Sequence, residues 1–379
     1  MRVLKPESQP GASAHDAPAL LRMVRETPTD YWNDSCAVAE LAYAIDRGAT
    51  GATSNPTIVL EVLRKEGSRW VPRIADLAAQ HPAWTEDDLT WAIVEEIGVA
   101  AARLLEPVFT AEAHRKGRLS LQTNPANYRN ADRMLEQGLR FSGLAPNIQV
   151  KFPATAAGLE AIERATRAGV SINATVSFTV AQAIAVGEAV ERALDARAAA
   201  GEDVADMTPV CTMMIGRLDD HLRAVAERDG IAVHPDALDW AGIAAFKRAV
   251  AEYRRRGFRT RLLAAAMRHR LHWTELVGGD VIITMPHAWQ VRFNESGLPP
   301  EPRIDIPVDP ALVDDLLERL PDFRRAYEPD GLQIAEFDDY GATRRTLRTF
   351  IQSYHDLVGA VREVMLPNPD AAAAPRGVA

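Results

Sequence analysis

Residues 147–153 read NIQVKFP and, after a helix-like segment, residues 171–178 read SINATVSF. Both are short runs with apolar residues at alternate positions, the period of a half-buried strand. Between them, residues 156–168 put Leu159 and Ile162 on one helical face and stop at Gly169, a suitable cap. Strand, helix, strand is the repeating unit of a parallel sheet. The unit recurs outward from here. Strand-like runs lie at 30–34 (DYWND), 51–54 (GATS), 119–123 (LSLQT), 208–215 (TPVCTMMI), 260–265 (TRLLAA) and 280–285 (DVIITM), each with a helix-like segment after it. Eight such units close most naturally into a barrel, so the sequence predicts an α/β fold of the (β/α)8 TIM-barrel type.

Residues 180–201 are Ala-rich without proline and predict a long helix. Two connections, 56–118 and 218–259, exceed what a barrel needs and read as inserted helices with charged outer faces. Leu347, Phe350, Ile351, Tyr354, Leu357, Val358, Val361 and Met365 follow helical spacing, which predicts a C-terminal helix packed on the barrel. The Pro-, Ala- and Gly-rich ends, residues 1–15 and 367–379, read as disordered, leaving 16–366 as one barrel domain.

Composition narrows the function. Of 379 residues 47% are apolar and 25% charged, the balance of an ordinary globular chain. A net charge of -9 and a pI near 5.6 argue against nucleic acid or an anionic membrane as a partner, so any cationic site must be local. The two cysteines, Cys36 and Cys211, form no CxxC pair, and no signal-like or membrane-spanning apolar run occurs, which predicts a cytoplasmic protein. No P-loop or GxGxxG appears, so no nucleotide or nicotinamide cofactor is indicated.

Lysine is rare here: five of the 43 basic residues are lysines and 38 are arginines. Lys5, Lys65, Lys116 and Lys247 lie in polar surroundings and read as surface residues. Lys151 instead shares one face of its strand with Gln149 and Pro153, opposite Ile148, Val150 and Phe152. An ammonium facing a barrel interior is poorly solvated, which favours the neutral amine that attacks carbonyls. Taken alone, the same position also suits a lysine paired with an inward carboxylate.

The neighbouring strands add partners. Asn173 and Thr175 share a strand face and can bond substrate oxygens or hold a water. Asp34 closes the first strand, where it could act as a general base or, before Ser35, as a helix N-cap. Asn55 before Pro56 also reads as an N-cap. Arg217 and Arg268 follow adjacent strand-like runs; each alone reads as a solvated or paired residue, but together they suit a phosphate group.

The segments GATSNPTI (51–58), NIQVKFPATAAGLEAIERATRAGVSINATVSFTVAQA (147–183) and MIGRLDD (214–220) strongly resemble the transaldolases. The resemblance runs from about Asp34 to Met285, with the block around Lys151 its most specific part. It implies Lys151 as the Schiff-base lysine, Asp34 as the acid/base carboxylate and Thr175 as the holder of a catalytic water. It also implies Asn55 and Asn173 as substrate-oxygen ligands, Arg217 and Arg268 as phosphate-binding arginines, and Thr212 in the place of a usual serine. No metal or organic cofactor is implied. The implied reaction moves a three-carbon dihydroxyacetone unit from a ketose phosphate to an aldose phosphate, in pentose phosphate or specialised carbohydrate metabolism.

One departure stands out. Where transaldolases carry a glutamate in a strand resembling STEVD, this chain has Ser120, Leu121, Gln122, Thr123 and Asn124. Gln122 can orient a water but cannot take its proton, and a glutamine there is similar to the fructose-6-phosphate aldolase branch. An aldolase releasing free dihydroxyacetone, a pyridoxal-phosphate enzyme and a silent phosphosugar-binding barrel are the alternatives. His269 and His272, at i and i+3, lack a visible third metal ligand and read as surface or capping residues. Glu95 and Glu96 read as a solvated helix face. A homodimer is compatible with such a barrel, though no interface is legible.

Overall fold

All eight predicted strands form, at β1 (Asp30–Asn33), β2 (Gly51–Thr53), β3 (Arg118–Gln122), β4 (Ile148–Pro153), β5 (Ile172–Ser177), β6 (Val210–Met213), β7 (Arg261–Ala264) and β8 (Ile282–Met285). The structure is a computed structural model that describes residues 17–370. The strands pair in parallel and in chain order, and β8 closes on β1 from Asp30↔Ile282 to Asn33↔Met285, giving a (β/α)8 barrel.

Helix α1 (Ala19–Glu26) precedes the barrel, and α2 (Val38–Asp46) links β1 to β2. The first long connection holds α3 (Pro56–Lys65), α4 (Gly67–Gln80) and α5 (Glu86–Ala111). Helices α6 (Ala131–Ser142), α7 (Ala156–Arg167) and α8 (Val180–Ala199) follow β3, β4 and β5. The second long connection holds α9 (Ile215–Asp229) and α10 (Ala237–Arg256). Short α11 (Leu271–Thr274) follows β7; α12 (His287–Glu295), α13 (Pro310–Arg319), α14 (Pro321–Tyr327) and α15 (Gly341–Met365) complete the chain. The extension expected over 1–15, with Lys5, lies outside the described residues. So does the expected tail beyond Asp370; residues 367–370 carry neither helix nor strand.

Side-chain alternation decides what faces the interior. A Cβ on Gly138 of α6 would meet the Phe152 ring at 2.5 Å and Val150 at 3.5 Å, so that face of β4 packs against the helix layer. Gln149 and Lys151 therefore point inward. Gly98 of α5 lies against Leu119 and Leu121 in the same way, which turns Ser120 and Gln122 inward. The C-terminal stripe behaves as its spacing predicts: Leu347, Phe350, Leu357 and Val361 are buried, and α15 packs on α3, α5 and α9. Burying such side chains contributes about 1.5–3 kcal/mol each, enough to hold this helix over the barrel.

Two lysines read as surface residues are tied down, Lys116 with 31% of its side chain exposed. Lys116 donates to Asp30 Oδ1 at 2.8 Å, and Asp30 is buried at the barrel floor, where it also receives Arg261 at 2.8 Å. Lys247 has only 10% of its side chain exposed and donates to the carbonyls of Arg303 and Ile306. Polar neighbours in sequence did not reveal that these ammonium groups close over acids and carbonyls from distant segments. Lys65, with 47% of its side chain exposed, is a surface residue as expected.

Candidate active site

Strand β4 carries Lys151 into the barrel, in register with Gln122 of β3 and Asn173 of β5. Lys151 is 3% exposed, and its ammonium makes no hydrogen bond or ion pair among the described residues. Its pKa is pushed from the ordinary 10.5 down to about 8, chiefly by burial; the Asp34 carboxylate opposes that shift and the Arg217 guanidinium adds to it. A pKa near 8 leaves roughly a tenth of the lysine as free amine at neutral pH, against less than about a thousandth at its ordinary value. The inward carboxylate that would have made this a structural ion pair is not bonded to it.

Asp34 lies one residue past β1. Its N–H donates to the Met285 carbonyl at 3.1 Å, and its carboxylate accepts from the Thr53 hydroxyl. The N-cap of α2 is Ala37, so Asp34 does not cap that helix. Asn55 does cap one: its Oδ1 accepts from the Ile58 N–H at 3.0 Å at the start of α3, with Pro56 in the first turn. Its amide NH2 makes no hydrogen bond among the described residues.

Asn173 sits in a buried chain of hydrogen bonds. Thr212 Oγ1 donates to its Oδ1 at 2.7 Å, its Nδ2 donates to Ser120 Oγ at 2.9 Å, and Ser120 donates to Gln149 Oε1 at 2.9 Å. The chain crosses the barrel from β6 to β5, β3 and β4, and it fixes the orientation of Asn173 in full. Thr212 thus lies behind Asn173, bonded to it. Above this layer Gln122 Oε1 and Thr175 Oγ1 are buried without a hydrogen-bond partner among the described residues. Thr175 precedes Val176, a buried β-branched residue at φ +54° where the β5–β6 register shifts. That conformation costs on the order of 1–3 kcal/mol, and such strain concentrates at functional sites.

The two arginines differ. Arg217, in the first turn of α9, is half-buried and stands 5.1 Å over the Phe350 ring of α15. Its guanidinium makes no hydrogen bond or ion pair among the described residues. Burial, followed by the like charge of Arg268, lowers its pKa. Arg268 is exposed and forks onto Asp220 at 2.6 and 3.0 Å. Gly216 lets the start of α9 approach this loop, since a Cβ there would lie 1.9 Å from the Ala266 carbonyl. Arg217 thus presents an unpaired, partly desolvated guanidinium beside a second one, an arrangement whose chemistry suits an anion.

Several residues of this site carried little signal in the sequence. Gln149 was visible only as a position on the Lys151 face of its strand, and Ser120 only as a member of the strand that holds Gln122. Cys36, considered only for redox compartment, is buried within the field of Lys151, and burial pushes its thiol up to about 12. Phe350 read as one position of an apolar stripe, and Asp220 as one acid among many. His272 is wholly buried, not a surface residue, and Asp219 is the partner that sequence spacing could not supply. Glu95, expected on a solvated face, has 12% of its side chain exposed and pairs with Arg140; Glu96 pairs with Arg73 at 2.6 Å.

Comparison with known proteins places the chain in a family. The profile of the family described as Transaldolase/Fructose-6-phosphate aldolase matches residues 31–329, which spans the whole barrel. A transaldolase of Thiobacillus denitrificans is 28% identical over 342 residues, 83% of this chain and 90% of that protein. One from Parafrankia is 28% identical over 288 residues, covering 69% of this chain and 76% of its own. A third, from Thermobifida fusca, is 30% identical over 200 residues, 49% of this chain and 52% of that one. The chain belongs to the transaldolase/fructose-6-phosphate aldolase family of enzymes.

Proposed function

We propose that this enzyme transfers a dihydroxyacetone unit from a ketose phosphate to an aldose phosphate through a Schiff base on Lys151. The observation that carries this reading is the lysine itself: buried, free of any ion pair, and with its pKa pushed down to about 8. Its neutral amine attacks the ketone carbon and forms a carbinolamine. Thr175 and Gln122 hold the water that leaves as the imine forms, their buried oxygens being without protein partners. Asp34 removes the substrate hydroxyl proton, the C–C bond breaks, and an aldose leaves while the enamine stays on Lys151. Asn173 and the free amide NH2 of Asn55 bond substrate hydroxyls, Thr212 holds Asn173 in place, and Arg217 with Arg268 binds the phosphate. The enamine then adds to the acceptor aldehyde, and hydrolysis of the new imine frees the lysine.

Gln122 favours a second outcome from the same intermediate. Without a carboxylate in register with Lys151, release of free dihydroxyacetone competes with transfer, as in an aldolase acting on fructose 6-phosphate. The two are separated by incubating the enzyme with fructose 6-phosphate, with and without an aldose phosphate acceptor. Turnover that requires the acceptor supports transfer. Free dihydroxyacetone at the same rate without acceptor assigns the chain to aldol cleavage, and no turnover of any ketose phosphate under either condition removes the catalytic reading.

A further inference from the structure

Behind the two arginines lies a buried cluster that the mechanism does not use. Asp219, two residues after Arg217 on α9, is fully buried. Its Oδ1 accepts from the Gly242 N–H of α10 at 2.7 Å, and its Oδ2 lies 2.8 Å from His272 Nε2 and 3.8 Å from His269 Nε2. His272 is itself fully buried, and its Nδ1 accepts from the backbone N–H of Arg268 at 3.2 Å. A neutral imidazole carries one proton. Because Nδ1 accepts, the proton is on Nε2 and is donated to Asp219.

The ligand atoms of Asp219, His269 and His272 lie within 4.8 Å of one another, a spacing that also suits a metal. The tautomer decides against it. A metal-bound Nε2 needs a lone pair there and a proton on Nδ1, which would then confront the Arg268 N–H. Both neighbours of the cluster instead address one loop: Asp219 reaches the backbone of Arg268 through His272, while Asp220 holds its guanidinium. Ala266, in the same loop, adopts φ +69° and packs its carbonyl on Gly216. The loop is therefore held in an uncommon conformation by tethers from the helix that carries Arg217.

We infer that Asp219 and His272 are positioning residues, a relay that sets Arg268 against Arg217 at the spacing a substrate phosphate requires. The inference rests on the phosphate role proposed for the two arginines. His272→Gln places an amide where Nε2 stood and keeps the Asp219 contact, but it removes the acceptor for the Arg268 N–H. His272→Asn places an oxygen near the Nδ1 position and keeps that acceptor. For His272→Gln, kcat/KM for fructose 6-phosphate falls roughly tenfold, through KM, the effect of one lost hydrogen bond at an ionic site. For unphosphorylated fructose kcat/KM moves less than about twofold, and His272→Asn recovers at least part of the loss. Inhibition by inorganic phosphate weakens in parallel in His272→Gln. Arg217→Ala and Arg268→Ala serve as the reference. If they too leave the phosphorylated substrate unaffected, the phosphate reading itself falls. If they raise its KM while His272→Gln does not, or if His272→Gln slows both sugars equally, the relay is overturned and the phosphate reading stands. Stoichiometric zinc in the purified wild type that is absent from His272→Gln would also overturn the relay, in favour of a metal site.

Discussion

At the floor of the barrel Asp30 is 2% exposed and receives both Lys116 and Arg261 at 2.8 Å. Toward the mouth, Lys151 is 3% exposed and bonds no carboxylate among the described residues, and Arg217 stands over an aromatic ring without an ion pair among them. Both regions withdraw charge from water, which costs several kcal/mol per ion unless partners are supplied. The floor supplies them and becomes a structural plug. Near the mouth they are withheld, and the unmet cost appears as a depressed lysine pKa and a guanidinium open to an anion. Within one barrel, the same residue types are locked in ion pairs or left unpaired according to whether their charge is answered.

Lys151→Met tests the contrast hardest. Activity falls by at least about a thousandfold, because no other residue supplies the nucleophile. Stability should rise. The folded-state pKa of Lys151 lies below its ordinary 10.5, at about 8. Below pH 8 both folded and unfolded chains hold the proton, and the folded chain carries the whole penalty, roughly 3 kcal/mol at most. Between pH 8 and 10.5 the unfolded chain binds more protons than the folded one, so wild-type stability climbs with pH. The advantage of Lys151→Met is thus greatest below pH 8 and closes toward pH 10.5; urea melts across that range measure it. A variant less stable than wild type at pH 7 would break the contrast.

Asp30→Asn is the converse at the floor. It removes the buried charge that Lys116 and Arg261 share, although Arg261 keeps Asp280 at 2.8 Å, and should destabilise the chain by about 1–3 kcal/mol, read by denaturant melts, while the folded fraction keeps its reaction at Lys151. Arg217→Ala should raise KM for a phosphorylated substrate by about a hundredfold, with kcat for an unphosphorylated analogue little changed; steady-state kinetics on the pair separate the two. Smallest is Gln122→Glu. A carboxylate in register with Lys151 stabilises the ammonium, so the rising limb of the rate profile, expected near pH 8 in wild type, moves to higher pH by up to about one unit.

Much of this contrast could be read in advance, and the part that could not has a common cause. Eight alternations of strand and helix specified the barrel, since strand and helix periods are local properties of sequence. The rarity of lysine and the period-two pattern of NIQVKFP singled out Lys151, and alternation alone turned Asn173 and Thr175 toward the same interior. Pairing was illegible. That Lys116 meets Asp30, that Arg268 meets Asp220 and that His272 meets Asp219 depends on segments brought together only when the barrel closes. Local polarity accordingly misplaced Lys247, gave no sign that Lys116 is paired, and left the surface-or-capping reading of His272 without its burial. The cap at Asn55 was legible because Asn-Pro before an apolar run is a local signal; the absence of a cap at Asp34 depended on where β1 and α2 stop.

The central claim is that the unanswered amine of Lys151 forms an imine with its substrate. Incubation with fructose 6-phosphate, reduction with sodium borohydride and peptide mass spectrometry test it directly. The expected result is a single reduced adduct of three-carbon mass on the peptide carrying Lys151, absent from Lys151→Met. Turnover of fructose 6-phosphate with no borohydride-dependent adduct, or an adduct on any other lysine, would contradict it.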